Sequence, residues 1–128
     1  MTMTFTTALW ILLAAFFLPL VAAGVAKGGR RDYDNTDPRG WENRLEGHRR
    51  RAVAAMNNTF EALPFFAAAV IVAHMTGAPQ GRLDALAAAW LVLRLVYLAL
   101  YVGDRATARS LVWMACVAIN VWIFVLGA

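Results

Sequence analysis

Three long stretches of the chain carry no Asp, Glu, Lys or Arg: Met1 to Ala26, Ala62 to Gly81, and everything after Arg109. Charge-free runs of that length suit a bilayer core, which takes about 20 apolar residues per helical span. Four apolar stretches come close to it: Phe5 to Val25, Ala52 to Met75, Leu83 to Val102 and Ser110 to Leu126. The composition agrees, since 61% of the residues are hydrophobic and 16% charged, against about 25% charged in soluble domains. The expected fold is therefore all-α: one integral-membrane domain, an up-down bundle of four helices.

The small residues of Val21-Ala22-Ala23-Gly24-Val25-Ala26 resemble a signal-peptide cleavage region. A basic n-region is missing, however, and the apolar run exceeds the usual h-region, so the first stretch reads as a span. Lys27 to Arg51 forms a polar loop with eight Lys/Arg against five Asp/Glu, and a short amphipathic turn is expected near Trp41 to Leu45. The remaining connections are short, near Thr76 to Arg82 and Gly103 to Ala108, which favours antiparallel neighbours. The positive-inside rule puts the Arg-rich loop and the Arg105/Arg109 turn on the cytoplasmic side and both termini on the opposite side. Eight of the twelve basic residues lie in that one loop, so orientation and anionic lipid account for the net charge of +4 without nucleic acid. Arg49 and Arg50 read as a solvated, topology-setting cluster. Cys116 is the sole cysteine, which excludes an intrachain disulfide, and no Cys/His cluster has metal-site spacing.

Polar residues inside the spans carry the functional signal. Asn57, Asn58, Thr59 and Glu61 lie in the second stretch, where an acid at mid-bilayer costs at least about 2.5–3.5 kcal/mol. Asn58 and Glu61 share a helix face, and Arg51 lies two turns before Asn58 on nearly the same face. In the third stretch Arg94, Tyr97 and Tyr101 recur at i, i+3 and i+7, again one face. Arg94 is the expected countercharge of Glu61. Arg109 sits where the fourth helix is expected to start, Pro64 is expected to bend the second helix, and Asn120 reads as an interhelical hydrogen-bonding contact. Trp10, Trp90, Trp113 and Trp122 read as core or interface aromatics, and Met56, Met75 and Met114 as packing. Donors outnumber the single carboxylate, a balance suited to a small, mostly anionic ligand bearing an amino group. A tripeptide thiol with two carboxylates and an ammonium fits.

Arg51 followed by Asn58-Thr59-Phe60-Glu61-Ala62-Leu63-Pro64, with Arg94-Leu95-Val96-Tyr97 to Tyr101 and then Arg109-Ser110, resembles the MAPEG family, membrane-associated proteins in eicosanoid and glutathione metabolism. The resemblance implies a homotrimer of four-helix protomers binding glutathione between neighbouring subunits, near the cytoplasmic side. It implies tripeptide contacts from Asn58, Glu61, Arg94, Tyr97 and Tyr101, with Arg51 a further carboxylate ligand. Arg109, assisted by Tyr101, is the implied catalytic group, because a nearby guanidinium raises the thiolate fraction of a thiol. Ala54 stands where many members carry another Arg. The expected function is that of a glutathione transferase or peroxidase acting on lipophilic electrophiles that arrive through the membrane lipid. Two alternatives stay open: a non-catalytic binding protein, and a small proton-coupled exporter, which needs Glu61 without a permanent countercharge.

Overall fold

A computed structural model describes residues 4–128. The described residues form helices and loops without strands, in the order α1 (Thr7–Ala15), α2 (Leu18–Lys27), α3 (Pro38–Asn43), α4 (Gly47–Met75), α5 (Gln80–Val102) and α6 (Ala106–Val125). Thr7–Lys27, α4, α5 and α6 are each long and apolar enough to cross a membrane.

The first span departs from the single unbroken helix expected of it, because it breaks at Phe16–Phe17. Pro19 is the cause: it has no N–H to give, and its ring displaces the carbonyl of Ala15. Proline is accepted instead in the first turn of the new helix, α2. The short helix α3 begins earlier than the turn expected at Trp41 to Leu45, because Asp37 caps it, accepting from the Gly40 amide at 3.0 Å, and Pro38 follows at the first helical position. Trp41 and Leu45 then bury themselves against Ala26 and Ala52, under Val102. The polar loop is thus folded onto the end of the bundle where α5 turns into α6. Beside it the Arg30 side chain, donating to Asp32 at 2.8 Å, holds the Asp32 carboxyl at about 2; that pairing is present at neutral pH and is lost only as pH falls toward this value.

The helix α4 starts at Gly47 and so takes in Arg49 to Arg51, which the sequence assigned to the loop. Two of these arginines close helix ends. Arg49 donates to the Ala26 carbonyl at 2.9 Å and Arg51 Nε to the Val102 carbonyl at 3.0 Å, satisfying acceptors that the final turns of α2 and α5 leave without partners. Only Arg50 fits the solvated reading; Arg49 is half-buried. At the other end of α4, Gly77 takes φ +72° and the Ala78 amide returns to the Ala73 carbonyl at 3.0 Å, a turn that a residue without Cβ enters at no steric penalty.

Small residues set the distances between helices. Ala8 and Ala15 of α1, Ala69 and Ala73 of α4 and Ala87 of α5 are fully buried, allowing the close backbone approach that drives helix association where lipid removes the hydrophobic incentive. Between α4 and α5 Phe66 stacks on Trp90, with ring centroids 3.8 Å apart and planes 5° from parallel. Trp90→Ala is expected to lose about 3–5 kcal/mol of stability, read by unfolding in detergent; parent-like stability would show that this stack does not hold α4 to α5. The outer faces are the reverse of a soluble surface, since Trp10, Phe17, Leu20, Val92, Leu111 and Trp122 are each more than half exposed. Such faces belong in lipid, and the chain is an integral membrane protein.

Candidate functional site

Ala54, Asn57, Asn58 and Glu61 fall at i, i+3, i+4 and i+7 of α4 and so line up along one face. Opposite them stand Tyr97 and Tyr101 of α5 and Arg109, Ser110, Trp113 and Met114 of α6. Together these ten residues line an open cavity of about 650 Å³. A smaller, more apolar cavity of about 190 Å³ shares Asn58, Glu61 and Trp113 with it and continues between α4 and α6 past Ala62, Phe65, Val117 and Asn120.

Along one side, cations and rings alternate from Arg94, behind the wall, to Arg109 at the cavity. The Arg94 guanidinium lies 4.1 Å from the Tyr97 ring centroid, Tyr97 meets Tyr101 edge to face at 5.7 Å, and the Arg109 guanidinium lies 4.2 Å from the Tyr101 ring. Cation–π contacts orient both guanidinium groups without neutralising them. Arg109 borders the cavity, so its charge is directed at whatever the cavity holds. The α5–α6 turn positions it: Asp104 adopts φ +60°, the Arg105 amide closes back on the Leu100 carbonyl at 2.9 Å, and Arg109 follows in the first turn of α6.

The expected pairing of Glu61 with Arg94 is not formed. Arg94, 2% exposed, donates through Nη2 to Asn58 Oδ1 at 3.0 Å and to Thr59 Oγ1 at 2.9 Å. The only ion pairs among the described residues are Arg30–Asp32 and Arg39–Glu42. Helix geometry explains the difference. Thr59 and Glu61 are two positions apart, which at 3.6 residues per turn places them on roughly opposite faces of α4. The face that reaches Arg94 presents Thr59, and Glu61 is directed to the cavity instead, largely exposed.

Of the residues singled out in the sequence, Asn58, Glu61, Tyr97, Tyr101 and Arg109 come together around the cavity, whereas Arg51 and Arg94 do not border it. Arg51 is engaged with Val102 at the end of α5, and Arg94 lies behind Asn58. Sequence reasoning missed Ser110, Trp113 and Met114 as lining residues. Trp113 lies four residues after Arg109 and Met114 four after Ser110, the helix-face spacing that would have found them beside an arginine singled out already. Asn120 is buried at 4% exposure, but its Oδ1 has no partner, and neither has the indole nitrogen of Trp90; the expected interhelical bond through that oxygen is absent.

Four membrane-spanning helices with a polar, cation-bordered cavity between the second, third and fourth define the class: a membrane protein with a ligand site inside its bundle. A family model described as the MAPEG family matches residues 7–128, and the chain belongs to that family. Comparison with curated proteins and with solved structures gave no significant match.

Proposed function

We propose that this protein is a membrane glutathione transferase or peroxidase that joins glutathione to, or uses it against, lipophilic electrophiles reaching the site through the bilayer. The observation that carries this reading is the donor set of the larger cavity. Asn58, Tyr97, Tyr101, Arg109 and Ser110 offer hydrogen-bond donors and Glu61 the single carboxylate, which suits a tripeptide with two carboxylates, a thiol and one ammonium. Glu61 holds the ammonium. Asn58 and Tyr97 orient the peptide, and Arg109 with Tyr101 lowers the pKa of the thiol. Bound glutathione supplies a thiolate whose sulfur forms a bond to an electrophilic carbon while the leaving group departs with its electron pair. Arg51 and Arg94 act from outside the cavity, Arg51 by tying α4 to the end of α5.

The assembly proposed with this reading is a homotrimer in which glutathione lies between neighbouring subunits. In the membrane, the loop carrying Trp41 and the turn carrying Arg105 face the cytoplasm and both termini the opposite side, following the distribution of Arg and Lys. Conjugation of a model aryl halide by detergent-purified protein tests the catalytic part. A rate that saturates with glutathione supports it; a rate equal to the uncatalysed reaction at millimolar glutathione leaves only a binding protein.

One observation favours a second reading. Glu61 has no basic partner, which is the condition for a carboxylate that alternates between protons and cationic solutes in a small exporter. Drug resistance abolished by Glu61→Gln and independent of glutathione would establish that reading in place of the first.

A further inference from the structure

Arg94 and Thr59 stand behind the cavity wall, 2% and 4% exposed, and neither borders the cavity. Arg94 is permanently charged, yet its observed acceptors are two neutral oxygens, Asn58 Oδ1 at 3.0 Å and Thr59 Oγ1 at 2.9 Å. A guanidinium has donors only, so the Asn58 atom turned toward it is necessarily the oxygen. The Thr59 hydroxyl proton is committed to the Ala55 carbonyl at 2.8 Å, which leaves the lone pairs of Thr59 to receive Arg94. The Tyr97 ring, 4.1 Å away, packs against the guanidinium.

We infer that Thr59 and Arg94 are positioning residues that hold the Asn58 carboxamide with its oxygen inward and its NH₂ toward the cavity, making Asn58 a donor only. A freely turning asparagine offers either end to a ligand; this one does not. The group it meets must therefore be an acceptor, a carboxylate or a peptide carbonyl, while the ammonium goes to Glu61 three residues on. The two neighbouring side chains would thus fix which way round an amino-acid-like ligand lies. The inference rests on the glutathione reading of the cavity and adds the orientation of the ligand within it.

Calorimetry with glutathione on the full-length protein in detergent, for the parent, Thr59→Val, Thr59→Ser and Asn58→Asp, tests it. Thr59→Val removes the acceptor that helps to hold Arg94, and Kd should rise about tenfold. Thr59→Ser keeps the hydroxyl and should restore parent affinity. Asn58→Asp retains an oxygen for Arg94 and should fold as the parent does, but it presents an acceptor to the cavity and should lose affinity at least as severely. A purely structural role would lower the thermal midpoint of Thr59→Val and leave its Kd alone, and that result overturns the inference. So does an Asn58→Asp variant that binds as tightly as the parent, a readout that stands even if Thr59→Val fails to fold. A parent that does not bind glutathione removes the glutathione reading itself, and this inference with it; a parent that binds beside an equally tight Asn58→Asp removes only the orientation.

Discussion

Arg109→Ala is expected to lower kcat/KM for aryl halide conjugation about 10²-fold, a loss typical of removing one group that stabilises developing or bound negative charge. The guanidinium sits at the cavity edge with the Tyr101 ring 4.2 Å from it, and in the proposed mechanism its charge favours the thiolate over the thiol. A free cysteine thiol titrates near 8.5, so at neutral pH most of it is protonated unless a cation lowers that value. Removing Arg109 therefore moves the rising limb of the pH–rate profile upward. The gap between parent and variant should narrow as pH rises, because alkaline solution supplies the thiolate that Arg109 no longer favours. A gap that stays constant across the range would mean that Arg109 acts on something other than the thiol proton.

The second large effect separates Glu61 from Arg94. Breaking a buried ion pair by removing one partner typically loses about 3–5 kcal/mol, and removing both restores much of it. With Arg94 bonded to Asn58 and Thr59 instead, no such rescue is expected. Glu61→Gln should stay within about 0.5 kcal/mol of the parent while glutathione binding weakens about tenfold or more, because the ammonium loses its charged acceptor. Arg94→Gln should lose about 1–3 kcal/mol through the buried oxygens it leaves without a donor. The double variant should be additive to within about 0.5 kcal/mol, measured by unfolding in detergent. Strong rescue in the double variant would show that the two side chains meet.

The spans were legible because a bilayer excludes charge: the first and fourth stretches carry none, the second only Glu61 and the third only Asp84 and Arg94, each within an apolar run of helix length. Asn58, Glu61, Tyr97, Tyr101 and Arg109 were legible for the same reason in reverse, as polar groups where none should stand, at spacings that share a helix face. Thr59 stood out among the polar residues of the second stretch but without a role. A hydroxyl in a membrane helix can bond its own backbone, and this one does, donating to Ala55; nothing in its identity marks it as the acceptor for Arg94. Charge complementarity pointed to Glu61 because it ignores the angle between positions 59 and 61 around the helix. Trp113 was read as a core or interface aromatic and Met114 as packing, because hydrophobic periodicity does not tell a lining side chain from a buried one. The break at Phe16–Phe17 was within reach of the sequence, since Pro19 is incompatible with an uninterrupted helix four residues after Ala15.

The central claim is that the cavity between α4, α5 and α6 receives glutathione, and Ala54 gives direct access to it. This residue lines the cavity and is half-buried, so Ala54→Trp would fill the space while leaving every polar group in place. Titration calorimetry of glutathione into detergent-purified parent and Ala54→Trp protein compares the two. The account predicts saturable binding by the parent in the millimolar range or tighter, abolished in Ala54→Trp at an unchanged thermal midpoint. Equal binding by both proteins would place glutathione elsewhere, and no binding by the parent at millimolar concentration would contradict the claim outright.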